Sequence, residues 1–197
     1  MLSVLETFLS IQGEGYHVGE SVFFIRTQGC DIGCHWCDEP NSWELTGGEK
    51  LSYVELIKRL KKTNTKKIVF TGGEPLIHDL QEITARLRDL GYVLHLETSG
   101  AYPLTGTWDW ITLSPKKNKP PLRSIYSLIS ELKVIIYNKH DFEWALEQKK
   151  HVKKSCLLYL QPEWSRMEIV KSSILDFICL YPEWKLSLQT HKILDIK

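Results

Sequence analysis

The 197-residue sequence has no long apolar segment and no excess of charge of either sign. Its longest uninterrupted apolar stretches, such as Val22–Ile25 and Val134–Tyr137, are far shorter than the roughly 20 residues that a membrane-spanning helix needs. The formal net charge is +1, so we expect no bulk attraction to nucleic acids or anionic membranes. No basic segment precedes an apolar one at the N-terminus, so we expect no signal peptide and a cytoplasmic location.

Cysteine is scarce, and its five copies are unevenly distributed. Secreted disulfide frameworks usually hold an even number of cysteines spread over a short chain. Here Cys30, Cys34 and Cys37 fall close together, whereas Cys156 and Cys179 stand alone in apolar segments. We therefore expect a reducing environment, one group of three metal-ligating thiols, and two ordinary buried cysteines.

Repeats, low-complexity segments and linkers are also absent, so we expect a single domain over residues 1–197. Apolar, β-branched segments alternate with segments of helical periodicity. The expected strands are 21–28, 66–70, 92–96, 110–113, 132–137, 156–160 and 184–189, and the expected helices are 52–63, 76–90, 139–149 and 165–179. This alternation predicts an α/β fold with a mostly parallel sheet. Six or seven strands are too few for an eight-unit barrel, so we expect a partial, open TIM-like barrel.

Polar motifs follow the predicted strands at the points where the strands end. In α/β barrels and open sheets, functional sites gather at the carboxyl ends of the strands. We therefore expect these motifs to meet on one rim of the sheet. They are the cysteine segment 30–37, TGGEP (71–75), ETSG (97–100), SPK (114–116) and Gln161–Pro162.

The three cysteines have the spacing Cys, three residues, Cys, two residues, Cys. Thiolates are the usual ligands of iron–sulfur clusters, and three of them hold three irons of a four-iron cube while the fourth iron stays open. A structural zinc site is an alternative, but zinc takes four ligands and the fourth would be His35, whose place between ligands is unfavourable. An electron carrier is another alternative, although it would use four cysteines. We expect Trp36 to shield the cluster from water.

This spacing resembles the signature of the radical S-adenosylmethionine (radical SAM) superfamily, and Gly72-Gly73-Glu74-Pro75 resembles its GGEP motif. The resemblance implies a 4Fe-4S cluster on the three cysteines and S-adenosylmethionine as a cofactor that is cleaved to a 5′-deoxyadenosyl radical. Taken alone, each supporting motif is also compatible with a turn or a helix cap. The residues expected to contact the cofactor are Trp36, Asp38, Gly72, Gly73, Glu74, Glu97, Ser99, Ser114, Pro115, Lys116 and Gln161.

A longer set of motifs narrows the resemblance to the 7-carboxy-7-deazaguanine synthases. The motifs are IQGEG (11–15), FFIRTQGC (23–30), CDEPNSW (37–43), TGGEP, ETSG, SPK, LQP (160–162) and LSLQTHKIL (186–194). They cover nearly the whole chain. The resemblance implies a carbon–nitrogen lyase of queuosine biosynthesis that converts 6-carboxy-5,6,7,8-tetrahydropterin to 7-carboxy-7-deazaguanine with loss of ammonia. Because the cofactor supplies the radical, no catalytic side chain is assigned.

Several residues suit that substrate. Its carboxylate requires a cation, and the guanidinium of Arg26 can pair with it in a bidentate manner. The backbone of Ile11–Gly13 and the side chains of Gln12 and Glu14 are expected to read the pterin edge, and Thr71 adds a hydroxyl. Towards the C-terminus, the residues expected to close the pocket are Gln189, Thr190 and His191, and the terminal residue, Lys197, is expected to lie nearby.

One position departs from the family pattern. Many members have Thr or Ser two places after the third cysteine, where it binds magnesium, but this chain has Glu39. A carboxylate is also a good ligand for a hard cation, so we expect magnesium with Glu39 as its ligand; the alternative is that Glu39 leaves the enzyme with no metal requirement. The resemblance further implies a homodimer and a flavodoxin- or ferredoxin-type reductant, with no nucleic-acid or membrane partner. A small activase for a glycyl-radical enzyme remains an alternative, as does a zinc-stabilised binding module.

Overall fold

Nine strands form one continuous sheet in the computed structural model, which describes residues 1–197. In chain order the strands are β1 (Leu2–Ile11), β2 (Ser21–Thr27), β3 (Glu49–Leu51), β4 (Lys67–Gly72), β5 (Val93–Thr98), β6 (Trp110–Leu113), β7 (Glu131–Ile136), β8 (Leu157–Pro162) and β9 (Trp184–Leu186). Their order across the sheet is β3-β1-β2-β4-β5-β6-β7-β8-β9. Strand β1 is antiparallel to both of its neighbours, and every pair from β2 to β9 is parallel. Because β3 and β9 are the two edges, the sheet is open, and the predicted partial barrel is confirmed.

Few helices cover the sheet. They are α1 (Tyr53–Leu60), α2 (Gln81–Asp89), α3 (His140–Lys149), α4 (Met167–Leu180) and α5 (Thr190–Ile193). No α-helix connects β5 to β6 or β6 to β7. The first helix begins as a capped helix should, since the Ser52 hydroxyl accepts a hydrogen bond from the Glu55 amide at 3.1 Å. None of the helices is both long and apolar enough to cross a membrane.

Three sequence expectations need correction. Strands β1 and β3 were not predicted, because polar residues such as Glu6 interrupt the apolar pattern of β1 and because β3 is only three residues long. The single helix expected over 76–90 is a 3₁₀ turn (Pro75–Ile77) followed by α2.

The two lone cysteines also differ from each other. Cys156 is buried as predicted, but Cys179 is exposed. Helix α4 buries the stripe that contains Val170 and Ile174, and Cys179 lies off that stripe.

The two faces of the parallel strands differ in chemistry. Side chains such as Ile25, Phe70 and Leu96 point outward and are buried in the main hydrophobic core with the helices. Alternate residues of β5, β6 and β7 point to the inside of the curved sheet, where His95, Glu131 and other polar side chains line cavities. Because side chains alternate between the faces of a strand, the outside of the sheet is apolar, whereas the inside is polar along β5 to β7 and apolar along β2 and β4, where Val22, Phe24 and Val69 lie.

Candidate active site

A cavity of ≈ 260 Å³ opens at the carboxyl ends of the parallel strands. The three cysteines and Glu39 line it, as does every residue predicted to bind cofactor or substrate except Pro115 and Thr190. Pro115 is buried beside the cavity, between Ser114 and Lys116, which do line it. The predicted gathering of the polar motifs on one rim is therefore confirmed.

The loop that carries the cysteines is held by hydrogen bonds to its own far end and to a neighbouring loop. The amide of Gly29 donates to the Ser42 carbonyl at 2.7 Å, and the Asn118 side chain donates to the Gly33 carbonyl at 2.7 Å. The indole Nε1–H of Trp43 points at the Cys37 Sγ, 3.2 Å away. The loop thus presents its thiols to the cavity on a fixed backbone.

The thiols fit an iron–sulfur cluster better than a single metal ion. All three are free and partly buried, and burial raises the pKa of Cys34 and raises that of Cys30 to about 11. Bound iron would offset this by favouring the thiolate form. No three His, Cys, Asp or Glu side chains converge on one point that would hold a single ion. The ring of His35, the proposed fourth zinc ligand, packs edge-on against Tyr137 instead, with centroids 4.9 Å apart.

The glycines of the GGEP motif are required by contacts within the protein. Gly72 has φ 138°, and a Cβ there would lie 2.4 Å from the Thr27 amide nitrogen. A Cβ on Gly73 would lie 2.3 Å from the Gly29 carbonyl oxygen and 2.8 Å from the Cys30 Cβ. The absence of side chains therefore lets this loop pack directly against the start of the cysteine loop.

Glu74 joins two of the rim loops. Its buried carboxylate accepts hydrogen bonds from the Leu76 amide at 3.0 Å and the Ser99 amide at 2.8 Å, and from the hydroxyls of Thr98 and Ser99. A carboxylate has about four acceptor sites, so these four donors occupy it fully. This network gives Glu74 a positioning role between the two loops, and its predicted contact with the cofactor stays a prediction.

Lys116 is a half-buried charge at the rim. Its Nζ donates to the Ser114 carbonyl at 2.7 Å and to the Ser114 hydroxyl at 2.6 Å, and it lies 5.5 Å from the centre of the Trp36 ring. Burial lowers the pKa of Lys116. Gln161, at the end of β8, accepts a hydrogen bond from the Ser187 hydroxyl at 2.8 Å and so connects the rim to the C-terminal segment.

On the other side of the cavity, Glu97 organises the pocket wall. Its two carboxylate oxygens accept hydrogen bonds from the Gln12 amide group at 2.8 Å and from the Thr71 hydroxyl at 3.0 Å. The residues come from the β1–β2 loop, β4 and the end of β5. This arrangement leaves the amide oxygen of Gln12 to accept from the Glu14 amide at 3.1 Å.

Glu14 is bound to two residues of distant sequence. It pairs with the Nζ of Lys133 on β7 and accepts a hydrogen bond from the Gln189 amide group at 2.8 Å. Burial opposes the charge of Glu14, but Lys133 and Gln189 outweigh it and lower its pKa to about 2. The carboxylate is therefore ionised at neutral pH.

Arg26 lies at the cavity wall but is already paired. Its Nε donates to the Glu6 carboxylate at 2.9 Å, and the same carboxylate contacts the Nζ of Lys197. Phe8 and Phe24 stack beneath it with centroids 4.9 Å apart. A substrate carboxylate would compete with Glu6 for Arg26.

The C-terminal segment closes the open side of the barrel. Thr190 donates from both its amide and its hydroxyl to the Gly13 carbonyl, each at 3.0 Å. His191 lies so near that a Cβ on Gly13 would be 2.1 Å from its Nδ1, and burial lowers the pKa of His191. The β1–β2 loop and the C-terminus are therefore packed into one wall of the cavity.

Several residues that line the cavity were not predicted from the sequence. They include Phe8, Phe24, Trp43, Thr112 and Lys133. Lys133 had a usable signal, because it interrupts the apolar strand ELKVII two places after Glu131, as inward-facing residues of a strand do. Nothing in the sequence around Phe8 and Phe24 distinguishes a residue that lines a pocket from one that is buried in the hydrophobic core.

Comparisons with known proteins agree with this geometry. Residues 24–154 match the radical SAM superfamily. A Flavobacterium psychrophilum protein named 7-carboxy-7-deazaguanine synthase is 50% identical over 196 residues, covering 100% of this chain and 93% of that protein. An Escherichia coli K12 protein of the same name is 32% identical, and the match covers 97% of each. The crystal structure of QueE from Escherichia coli aligns with a TM-score of 0.82 at 29% identity, covering 95% of this chain and 93% of that chain.

Proposed function

The chain belongs to the radical SAM superfamily and, within it, to the 7-carboxy-7-deazaguanine synthases, and we propose that it converts 6-carboxy-5,6,7,8-tetrahydropterin to 7-carboxy-7-deazaguanine with loss of ammonia. It is then a carbon–nitrogen lyase of queuosine and 7-deazapurine biosynthesis. The observation that carries the proposal is one cavity lined by three free thiols on one side and by paired polar groups such as Glu97 and Arg26 on the other. The family uses a 4Fe-4S cluster and S-adenosylmethionine.

Cys30, Cys34 and Cys37 would hold the cluster, since they are the only cysteines that line the cavity. When bound, the cluster and S-adenosylmethionine supply the radical that abstracts a hydrogen atom from the substrate. The protein positions these groups and excludes water. Glu74 fixes the two rim loops to each other, and Trp36 shields the cysteine loop on the side of Lys116.

Further rim residues are assigned to S-adenosylmethionine on the same reasoning. The cavity wall between the cysteine loop and β8 offers hydroxyl, carboxylate, amide and ammonium groups within reach of a ligand. Such groups suit the ribose, the amine and the carboxylate of the cofactor. The residues assigned are Asp38, Ser99, Ser114, Lys116 and Gln161.

The substrate would lie against the opposite wall. Gln12, Glu14 and the backbone of the β1–β2 loop offer donors and acceptors for the edge of the pterin. Arg26 would exchange Glu6 for the substrate carboxylate. Thr71, Gln189, His191 and Lys197 complete this wall, and the stacked rings of Phe8 and Phe24 give it an apolar base.

Magnesium is proposed to bind at Glu39. The Glu39 backbone carbonyl accepts from the Ser42 hydroxyl at 2.7 Å, which fixes the residue at the cavity, while its carboxylate makes no hydrogen bond within the protein. A carboxylate is a suitable magnesium ligand. Because no cluster of three ligating side chains exists there, the remaining ligands would be water and the substrate carboxylate.

The remaining partners are proposed from chemistry and surface composition. A flavodoxin- or ferredoxin-type reductant is needed to reduce the cluster, and free thiols suit a reducing cytoplasm. Exposed apolar side chains on α4 and the C-terminal segment, such as Leu180 and Leu194, support a homodimer. The chain is proposed to act as one domain, because a single sheet runs through it from β1 to β9.

The function is tested by anaerobic assay. The reconstituted and reduced protein is incubated with S-adenosylmethionine and 6-carboxy-5,6,7,8-tetrahydropterin, and 7-carboxy-7-deazaguanine is sought by mass spectrometry. A Cys34→Ala variant serves as the control, and it should make no product. A wild-type protein that cleaves S-adenosylmethionine but leaves the pterin unchanged would retain the radical chemistry and contradict the substrate, as a glycyl-radical activase would.

A further inference from the structure

A second, smaller cavity lies beneath the active-site cavity, towards the amino ends of the strands. Its volume is ≈ 10 Å³, which is about the space of one water-sized molecule. Gln12, Glu14, Glu97, Thr112 and Lys133 line both cavities, so the two are neighbours that share one polar wall. The residues that line only the lower cavity are His17, His95, Trp110 and Glu131. We call it the floor cavity.

The strand register explains why the floor cavity is polar. His95 of β5 pairs with Trp110 of β6. Two residues further towards the carboxyl ends of these strands, Glu97 pairs with Thr112, which in turn pairs with Glu131 of β7. Residues two apart on a strand point to the same face, so these positions form two stacked layers inside the barrel. The floor cavity lies within these layers.

The charges around the floor cavity do not cancel. Three carboxylates, those of Glu14, Glu97 and Glu131, line it, but only one cation, Lys133. The Lys133 ammonium is bonded to Glu14. With the histidines neutral, the lining carries two more formal negative than positive charges when all three carboxylates are ionised. A site of this size and sign suits a small monovalent cation.

Two histidines leave hydrogen-bonding capacity unused in the floor cavity. His95 is 5% exposed and makes no side-chain hydrogen bond, and burial lowers its pKa to about 4, with the neighbouring His17 adding to the effect. The Nδ1 of His17 lies 2.9 Å from the Glu20 carboxylate and 3.4 Å from the Lys67 Nζ, and its buried Nε2 has no partner. In the tautomer whose Nδ1 donates to Glu20, Nε2 is the acceptor. A neutral imidazole has one nitrogen that donates and one that accepts a hydrogen bond, so each of the two rings can accept one. A buried polar group without a partner is rare and calls for a ligand or water.

Glu131 adds a further acceptor. Only one oxygen of its carboxylate has a partner within the protein, the Tyr16 amide at 3.0 Å. Burial raises the pKa of Glu131 to about 7 against the opposing charge of Lys133, so the group can give up a proton near neutral pH. The indole ring of Trp110 lines the same cavity, where it stacks against Tyr16 and contacts the edge of His17.

We propose that the floor cavity binds the ammonium ion released by the reaction. The inference rests on the proposed function, which frees one ammonia for each pterin converted. Ammonium has the size of water, carries one positive charge and donates four hydrogen bonds, which matches the acceptors His95, His17 and Glu131. Ammonia that enters from the active-site cavity takes a proton from the Glu131 carboxyl, which leaves a carboxylate paired with ammonium. The coproduct is thereby held outside the active-site cavity while the product leaves.

Binding is tested without turnover, on the cluster-loaded protein kept anaerobic. Thermal unfolding is measured in ammonium, potassium and sodium chloride at equal ionic strength and pH 7. Ammonium at tenfold its dissociation constant should raise the midpoint above the sodium value by roughly 3–6 °C, as binding to the folded state alone requires. Potassium has nearly the radius of ammonium but no hydrogen to donate, so it should raise the midpoint less.

Two variants separate the site from general salt effects. Glu131→Gln keeps the shape and removes the carboxylate, and it should abolish the difference between ammonium and sodium. Glu163→Gln changes another buried carboxylate, which lines neither cavity, and it should keep the difference. In turnover assays, the ammonium concentration that gives half inhibition should be at least tenfold higher for Glu131→Gln than for the wild type. This comparison holds whatever the basal rate of the variant.

Each outcome bears on one proposal. Equal midpoints in ammonium and sodium chloride, an unchanged response in Glu131→Gln, or equal stabilisation by potassium would overturn the ammonium site. Ammonium-specific binding in a protein that leaves the pterin unchanged would contradict the proposed function and keep the site. Product formation without ammonium binding would support the proposed function and contradict the ammonium site.

Discussion

The side-chain amide of Gln189 donates to the Asp38 carboxylate at 3.1 Å, and so joins the C-terminal segment to the loop that carries the cysteines. The same amide donates to Glu14 at 2.8 Å. One residue thus connects three parts of the active-site wall that are far apart in sequence. Lys192 reinforces the connection by pairing with Asp38.

Replacing Gln189 by leucine should weaken substrate binding more than cluster binding. Two hydrogen bonds to carboxylates are lost, each worth about 1.5–3 kcal/mol, so we expect KM for the pterin to rise at least tenfold. Iron content and the absorbance of the cluster should stay unchanged. Gln148→Leu is the matched control, because Gln148 is buried and bonded to Tyr126 away from the cavity. An equal rise of KM in both variants would contradict the role of Gln189.

The hydrogen bond from Trp43 to Cys37 should tune the cluster. A donor to a ligating sulfur stabilises the more negatively charged, reduced cluster, so its removal in Trp43→Phe should move the midpoint potential to a more negative value. The potential is measured by a redox titration followed by electron paramagnetic resonance. Trp164→Phe removes a similarly exposed indole that bonds no cysteine, and its potential should equal that of the wild type. A Trp43→Phe potential equal to the wild-type value would show that this bond does not act on the cluster.

Glu39 gives a test for magnesium. If its carboxylate binds the ion, Glu39→Ala should require a magnesium concentration at least tenfold higher for half-maximal product formation, while Glu39→Asp should respond more like the wild type. Magnesium titrations of the initial rate measure this. Identical magnesium curves for wild type and Glu39→Ala would remove Glu39 from the magnesium site.

Much of this site could be predicted because its residues occur in local motifs. Cys30, Gly73 and Ser114 follow strands whose apolar composition is plain, and Glu97 lies at the carboxyl end of such a strand, so parallel pairing alone brings them to one rim. The uses of these residues were harder to predict. The sequence predicts that the Glu74 carboxylate accepts hydrogen bonds, but it does not identify the donors. Three of the four donors lie on a loop more than 20 residues away, and the fourth lies in the turn that follows Glu74.

The lumen beneath the rim was less predictable. Lys133 and Glu131 lie in a strand that reads as core, and only the pairing of β7 with β6 and the position of the β1–β2 loop bring them to Glu14 and Glu97. Such contacts depend on the curvature of the sheet, which cannot be predicted from the sequence of a single strand. Strand β1 was missed for a different reason, since polar residues such as Glu6 interrupt its apolar pattern, although the two β1 residues that line the pocket, Phe8 and Ile11, are apolar.

The buried pair of Lys133 and Glu14 should show strong non-additivity in stability. Removing one partner leaves an uncompensated buried charge, so Lys133→Met should lower the free energy of unfolding by about 3–5 kcal/mol. Adding Glu14→Gln should restore part of that loss, because the carboxylate left without its cation is then neutral. Anaerobic denaturant titrations of the two single variants and the double variant measure the coupling. Strictly additive losses would show that the pair does not act as a unit.

Glu131 should make stability depend on pH in a direction opposite to that of an ordinary salt-bridged carboxylate. Burial raises its pKa in the folded protein from the ordinary 4.5 to about 7, so between these values the folded state holds a proton that the unfolded chain has lost. The free energy of unfolding contributed by Glu131 therefore falls as pH rises from 4.5 to 7 and is level above that, a total of roughly 3 kcal/mol. Glu131→Gln cannot titrate, so the wild type should lose stability relative to this variant between pH 5 and 7. Because other groups titrate in both proteins, the difference between their denaturation curves isolates Glu131, and a difference that does not change with pH would show that its carboxyl ionises normally.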